Sequence, residues 1–188
     1  VTLNTVTAAL ALDQDVHVLV AGNACSAVAE EAAKVAGTAK VLLVESDAYE
    51  NFLAENVATL VSNISGDYDF ILAPTTTNGK NVMPRVAALQ DVSQISDISA
   101  IESSDTFQRP IYAGNCIATV KSNDSKKIIT VRNTAFDAAD ATSGSAEIIT
   151  LEEINDAGIS KFVKEEIAES DRPELTAADV IISGGRGM

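Results

Sequence analysis

The residues with the clearest chemical capacity are Gly185, Arg186 and Gly187, in a run that reads Ser-Gly-Gly-Arg-Gly. Glycines allow positive φ angles and let a ligand approach the main chain closely. Arginine adds a rigid positive fork that suits phosphate. The apolar run 180–182 before them predicts a strand that leads into a glycine turn. The pattern favours contact with an anion such as phosphate, and an ordinary strand-ending turn with a solvated arginine is the simpler alternative.

Motifs of self-contained catalysis are missing from the sequence. It has no Gly-x-Ser-x-Gly elbow, no complete P-loop and no histidine or cysteine cluster at metal-ligand spacing. Lys80 follows three threonines without P-loop spacing, so a helix-capping role is predicted for this stretch. Cys25 and Cys116 lie far apart, and His17 lies inside an alternating apolar run typical of a packed strand. The sequence therefore predicts no catalytic residue and no metal site.

Charge and composition restrict the class of partner. The chain has 188 residues, and its 13 basic and 27 acidic residues give a net charge of −14. Nucleic acids and anionic membrane surfaces require basic patches, so neither is predicted as a partner. No apolar run approaches the ~20 residues that a membrane span needs, so membrane insertion is not expected either. We expect a protein partner, or a small ligand with its own local site.

Helical and strand patterns alternate through the first half of the chain. Apolar residues at helical spacing predict helices, and short apolar runs predict buried strands. In chain order these are helix 2–12, strand 16–21, helix 24–35, strand 40–45, helix 49–64, strand 68–74 and helix 78–89. In the second helix, Val28, Ala32 and Val35 are expected to face inward. This alternation predicts a three-layer α/β/α, Rossmann-like domain with a mostly parallel sheet.

Short strands dominate the second half of the chain. The predicted strands are 95–101, 108–112, 116–122, 126–132 and 148–151. Strands 116–122 and 126–132 are expected to form a hairpin, which adds an antiparallel extension to the sheet. Residues 155–169 have the spacing of an amphipathic helix, which predicts the end of the domain. We therefore expect an α/β domain over 1–169, followed over 170–188 by a linker and the first strand and turn of a second domain.

Several stretches, in order and over nearly the whole chain, resemble the alpha subunits of the electron transfer flavoprotein family. They are Gly79–Ala88, Ile95–Ile98, Arg109 with Ile111–Asn115, Thr119–Lys121, Val131–Arg132 with Phe136–Ala139, Ser170–Thr176 and Ser183–Gly187. Each phrase alone is weak, but their order and length together are specific. Two departures accompany them, because the chain begins at a helix where the family has an opening strand and ends before the FAD domain proper. The resemblance thus implies a fragment at both ends.

The resemblance implies a function in electron carriage. In such a heterodimer, FAD accepts electrons from dehydrogenases such as the acyl-CoA dehydrogenases and passes them to a quinone-linked oxidoreductase, in a mitochondrial matrix or a bacterial cytoplasm. Arg186 is implied to contact FAD, with Gly185 and Gly187 shaping the turn, while the rest of the FAD site lies beyond residue 188. Residues 1–169 are implied to pack on the beta subunit as a scaffold.

Three stretches are candidates for subunit contact, and the sequence also leaves rivals open. The candidates are the helix opening at Gly79, the stretch Arg109–Asn115 and the stretch 132–137, and a purely structural role is an equal alternative for each.

A stand-alone nucleotide-binding module of the universal-stress type is the rival function. It needs a complete phosphate-binding glycine loop within 1–169, which the sequence lacks. A small α/β hydrolase or lyase lacks a nucleophile with its base.

Overall fold

A computed structural model describes residues 1–166, 173, 175, 178 and 180–187. Its helices are α1 (Thr2–Leu10), α2 (Ser26–Ala33), α3 (Ala54–Ile64) and α4 (Thr77–Leu89). Its strands are β1 (Val16–Gly22), β2 (Thr38–Glu45), β3 (Phe70–Pro74), β4 (Gln94–Ile98), β5 (Ala100–Ser103), β6 (Thr106–Ile111), β7 (Cys116–Lys121), β8 (Lys127–Val131) and β9 (Glu147–Thr150). Short 3₁₀ turns occupy Asp47–Tyr49, Ser65–Asp67, Tyr112–Gly114 and Asn133–Ala135.

The strands form three open sheets of three strands each. Two sheets are parallel, in the orders β1-β2-β9 and β3-β8-β4, and the third is antiparallel, in the order β5-β6-β7. The mostly parallel α/β fold predicted from the sequence is confirmed. The antiparallel strands form a sheet of their own. It is connected to the end of β4 by a hydrogen bond from the N–H of Ser99, the residue after β4, to the carbonyl of Gln108 in β6, at 2.8 Å.

The predicted hairpin between 116–122 and 126–132 is wrong. β7 pairs with β6, whereas β8 lies between β3 and β4 and is parallel to both. The burial of β8 explains this placement, because every residue from Ile128 to Val131 is buried. A continuous apolar run of this kind suits a central parallel strand that is covered on both faces.

Two predicted helices have different bounds or faces. The helix predicted over 49–64 begins at Ala54, because Phe52 has a φ of 50°, which interrupts a right-handed helix. In α2 the predicted inward face is shifted by one residue, since Ala29 and Ala33 are buried while Val28 is 58% exposed. Alanines on this face fill the space between α2 and the strands β1 and β2 without displacing the helix.

The predicted helix 155–169 is absent over 155–166, and its remainder lies outside the described residues. The start of this segment is instead held by side chains of other elements: the Asn155 N–H donates to the Tyr49 hydroxyl at 2.9 Å, and the Ala157 N–H donates to Oδ1 of Asn56 at 2.9 Å. The segment lies along α3 without regular secondary structure, and Ile159 is exposed. The boundary expected at 169/170 falls on residues that the structure does not describe.

The apolar core has three parts. The largest packs α3 and α4 against the parallel strands, the second surrounds Phe107 between the parallel and antiparallel sheets, and the third holds α2 on β1 and β2. None of the helices in the described ranges is long and apolar enough to span a membrane.

Candidate functional site

The predicted FAD-contact residues lie on an exposed turn. Arg186 and Gly187 form the turn, and the run 180–182 before it is exposed and pairs with no strand in the described part of the chain. A Cβ built on Gly185 or Gly187 would meet no atom within 4 Å. The structure thus brings these three residues together on the surface and encloses nothing with them, so the strand predicted at 180–182 is not formed.

A second group of polar residues lies at the carboxyl ends of β3, β4 and β8, and we call Thr76, Lys80, Asp97 and Arg132 the carboxyl-end cluster. Ligands and partners of open α/β sheets commonly bind at this edge. Arg132 follows β8 and donates to Oδ2 of Asp97 from Nε at 3.2 Å and from an Nη at 2.5 Å. The carboxylate accepts a forked, charge-assisted pair, which is the geometry that arginine supplies best.

Asp97 has an unusual backbone within this cluster. Its φ is 58°, in the left-handed region where aspartate and asparagine are the most tolerated side-chain-bearing residues. Its N–H donates to Oγ1 of the buried Thr130 at 2.8 Å, and the Arg132 N–H donates to the Ile98 carbonyl at 3.0 Å. Burial acts to raise the pKa of Asp97, but the hydrogen bonds and charge of Arg132, together with Thr75 and the charge of Lys80, outweigh burial, so the pKa lies below its usual value.

This pKa shift predicts a dependence of stability on pH. The folded-state pKa of Asp97 lies below the unfolded value of about 3.9, so its contribution is present above about pH 4 and is lost as the pH falls towards the folded pKa. The change Asp97→Asn is expected to lower the free energy of unfolding at pH 7 by about 1 kcal/mol, since the pair is partly exposed. When the urea midpoint of unfolding is plotted against pH, the variant should also show a smaller fall below about pH 4, the acid limb of the curve, than the unchanged protein.

Asp13 offers a matched control for this prediction. It shares the left-handed backbone conformation, with a φ of 56°, and makes no ion pair among the described residues. The change Asp13→Asn should leave the stability curve close to that of the unchanged protein, because it removes no ion pair of the described residues and asparagine tolerates the same backbone conformation. Equal acid limbs for the two variants would contradict a role for the Asp97–Arg132 pair.

The helix opening at Gly79 is built by close packing of the main chain. The Gly79 N–H donates to Oγ1 of Thr76 at 3.2 Å, which is an N-cap, so the capping role predicted for this stretch is confirmed at Thr76. A Cβ on Gly79 would lie 2.1 Å from the carbonyl oxygen of Pro74. Glycine is needed here because the first turn of α4 passes directly over the end of β3.

The stretch Arg109–Asn115 presents an exposed, conformationally special turn. Three consecutive residues, Tyr112, Ala113 and Gly114, have φ values of 49°, 55° and 90°. Tyr112 is 77% exposed. At the base of the stretch, Nε of Arg109 is buried and has no acceptor within the described ranges. Strained backbone that holds out an aromatic side chain is a feature of binding surfaces.

The first helix after β1 is not arranged to hold a phosphate. At the N-terminus of α2, the Ser26 N–H donates to Oε1 of Glu45 at 3.0 Å. A carboxylate therefore takes the position where a nucleotide-binding module of this topology would place a phosphate. This contact weighs against the rival module of the universal-stress type.

Sequence reasoning missed two residues that join distant parts of the structure, Asp97 and Tyr49. The sequence predicts Asp97 only as part of a strand, because nothing local signals its left-handed backbone or its partner 35 residues away. Tyr49, predicted as part of a helix, is buried, and its hydroxyl donates to the Glu153 carbonyl at 3.2 Å. Within the ranges that the structure describes, no three His, Cys, Asp or Glu residues are grouped so that they could hold a metal ion.

Comparison with known proteins places the chain in a family. The model of the "Electron transfer flavoprotein domain" matches residues 1–156. An electron transfer flavoprotein subunit alpha of Pseudomonas aeruginosa is 59% identical over 187 residues, covering 100% of this chain and 60% of that protein. One from Paracoccus denitrificans is 55% identical over 174 residues, covering 93% of this chain and 56% of the relative.

A eukaryotic relative has a similar relation to the chain. The mitochondrial electron transfer flavoprotein subunit alpha of Dictyostelium discoideum is 45% identical over 203 residues, covering 100% of this chain and 57% of that protein. The chain therefore spans between 56% and 60% of the length of these relatives. With a family model matched over residues 1–156 and relatives of this similarity, the chain belongs to the electron transfer flavoprotein family.

Proposed function

We propose that this chain is the scaffold and subunit-contact part of a heterodimeric electron carrier. The carrier takes electrons from acyl-CoA and related dehydrogenases through FAD and delivers them to a quinone-linked oxidoreductase. The observation that carries the proposal is the 59% identity to an electron transfer flavoprotein subunit alpha over the full length of this chain. Relatives from bacteria and from a mitochondrion support a bacterial cytoplasm or a mitochondrial matrix as the compartment.

The composition and pairing of the described residues support a division of roles between two parts of the protein. Residues 1–166 form an acidic α/β body that contains the Asp97–Arg132 ion pair. We propose that this body binds the beta subunit, through the carboxyl-end cluster and the turn at Tyr112. We further propose that 170–188 link it to a second domain, where FAD binds. The flavin, when bound, supplies the redox chemistry, and the protein positions and tunes it.

The glycine turn offers the types of group that bind a phosphate, such as those of FAD. Arg186 supplies a cationic fork, and the space around Gly185 and Gly187 is open for close approach to the main chain. The turn does not enclose a ligand, whereas cofactor sites bury most of the ligand surface. Arg186 would therefore hold one edge of FAD by its charge, and the remaining contacts belong to residues outside this chain.

Flavin binding by a co-expressed complex tests the proposal. An extended version of the chain, co-expressed with a beta subunit from a relative's organism, is expected to purify as a heterodimer with flavin absorption bands. The change Arg186→Ala should reduce the bound flavin at least about tenfold, corresponding to the loss of one charge-assisted contact. Arg186→Lys should restore only part of it, because lysine keeps the charge and loses the fork. A colourless monomer in the presence of FAD would overturn the proposal.

Residues 1–188 by themselves provide a second readout. Fluorescence titration of this chain with FAD is expected to show weak binding or none, because a single arginine on a turn cannot bury a dinucleotide. Tight flavin uptake by residues 1–188 would mean that the α/β body contains its own flavin site, which contradicts the proposed division between scaffold and cofactor domain.

A further inference from the structure

A cavity of about 380 Å³ lies where the start of β4 meets the antiparallel sheet. Residues 93–95, at the start of β4, form one wall, Arg109 of β6 forms a second, and residues 120–124 of β7 and the following loop form a third. The carboxyl-end cluster lies at the other end of β4, where Asp97 is found. The cavity is therefore separate from the cluster that we propose as a contact for the beta subunit.

Arg109 contributes an unsatisfied donor to this cavity. It lies two residues after Phe107 on β6, so the two side chains project from the same face of the antiparallel sheet, towards the parallel strands. Its Nε is buried and has no acceptor within the described ranges, and its guanidinium makes no ion pair there. Nearly all buried donors in proteins have a partner, because an unmade hydrogen bond is costly. Arg109 thus indicates an acceptor that comes from outside these residues.

The other charged groups of the cavity already have partners. Nζ of Lys121 lies 2.9 Å from Oδ2 of Asp105, and Oδ2 of Asp124 accepts the Ser93 N–H at 3.0 Å. The second of these bonds holds the loop after β7 against the start of β4. The Asp124 carboxylate also repels any further negative charge that enters the cavity. One unpaired positive group beside one carboxylate favours a ligand with a single negative charge.

The remaining lining of the cavity includes apolar side chains. Ile95 is buried, and Val120 packs against the part of the core that surrounds Phe107. Both border the cavity beside Arg109. Its volume lies near the lower end of the range of about 300–1,000 Å³ that is usual for small-molecule sites. A short hydrocarbon chain would fit these surfaces, and the planar fork of an arginine matches the two oxygens of a carboxylate.

We propose that this cavity binds a short-chain monocarboxylic acid. The carboxylate accepts from Nε and an Nη of Arg109, and the hydrocarbon chain lies against Ile95 and Val120. Asp124 selects against dicarboxylates and phosphate by charge repulsion. The site uses neither the carboxyl-end cluster nor the Tyr112 turn, so it does not depend on the proposed function.

An NMR titration of the chain with propionate tests this site. The Nε–H signal of Arg109 is expected to shift downfield and to saturate, because a charge-assisted hydrogen bond forms there. The change Arg109→Lys should weaken propionate binding at least about tenfold, since lysine keeps the charge but loses the fork. Arg85→Lys is the matched control, because Arg85 lies on α4 outside the cavity and should leave the affinity unchanged.

Ligand analogues test the roles of charge and of Asp124. Propionamide, which has the same shape without the charge, should not saturate the site, and succinate and phosphate should bind at least about tenfold more weakly than propionate. Asp124→Asn should narrow the difference between propionate and succinate. These comparisons also decide the proposal if circular dichroism shows that Arg109→Lys does not fold.

Three results would overturn the proposal. They are equal propionate affinity in the unchanged chain and a folded Arg109→Lys variant, equal binding of propionamide and propionate, and equal binding of propionate and succinate that Asp124→Asn does not alter. A fourth comes from the extended heterodimer, where propionate should bind as it does to the chain alone. Loss of binding on addition of the beta subunit would mean that a group of the partner fills the cavity, in place of a free acid.

Discussion

Replacing Gly79 by alanine is expected to lower the free energy of unfolding by about 3 kcal/mol. The added Cβ would lie 2.1 Å from the carbonyl oxygen of Pro74, a main-chain atom that cannot rotate away. Either the first turn of α4 or the end of β3 must move, and both hold the carboxyl-end cluster. Urea unfolding followed by circular dichroism measures the loss, and binding to the beta subunit should weaken in parallel.

Gly66 is the control for this change. A Cβ there would meet no atom within 4 Å, and Gly66 lies in the short 3₁₀ turn Ser65–Asp67. The change Gly66→Ala should be neutral or slightly stabilising, because alanine restricts the unfolded chain. If both glycine variants lose the same stability, close packing at Pro74 is not the reason that position 79 needs glycine.

Truncation of Phe107 is expected to have the largest effect on the body of the protein. Phe107 on β6 is fully buried and packs with Ile98, Ile129 and Val131, where the antiparallel sheet meets the parallel one. Removal of a buried phenylalanine side chain costs about 3–5 kcal/mol through lost burial and the cavity that remains. That is a large part of the total stability of a domain, so Phe107→Ala should move the urea midpoint strongly.

Ile117 provides the comparison on the neighbouring strand. It lies on β7 and is 56% exposed, so Ile117→Ala should cost less than about 1 kcal/mol. Similar losses for Phe107→Ala and Ile117→Ala would contradict the view that the antiparallel sheet is anchored through Phe107. The pair therefore separates anchoring of the sheet from a general sensitivity of its strands.

These two residues connect stability with the proposed function. Gly79 fixes α4 beside the carboxyl-end cluster, and Phe107 fixes the sheet that carries the Tyr112 turn. The carboxyl-end cluster and the Tyr112 turn are the two proposed contact surfaces for a beta subunit. Variants at Arg186 act elsewhere, on an exposed turn, and should change flavin content without changing the stability of the body. Stability and flavin content are thus expected to respond to different substitutions.

Several features could be predicted from sequence because they depend on local patterns. The alternation of apolar residues gave the approximate positions of α1, β1, β2, α4 and β9, and the cap at Thr76 was expected from residue type. The family could also be predicted, because its phrases recur in order over the chain. The contacts of Gly185, Arg186 and Gly187 with FAD remain predictions.

Other features depended on contacts between distant residues. The sequence favoured a hairpin for β7 and β8, whereas the space between β3 and β4 determines where β8 lies. It favoured a helix over 155–166, whereas contacts of Asn155 and Ala157 with the distant Tyr49 and Asn56 hold the start of this segment in a non-helical form.

The sequence by itself thus determined the fold class, most of the elements and the family. Only the tertiary structure decided which strands are neighbours, why position 79 must be glycine and how Asp97 comes to pair with Arg132. The physical reason is range: periodicity and capping act over a few residues, whereas strand pairing, close packing and ion pairing join groups that only the folded chain brings together.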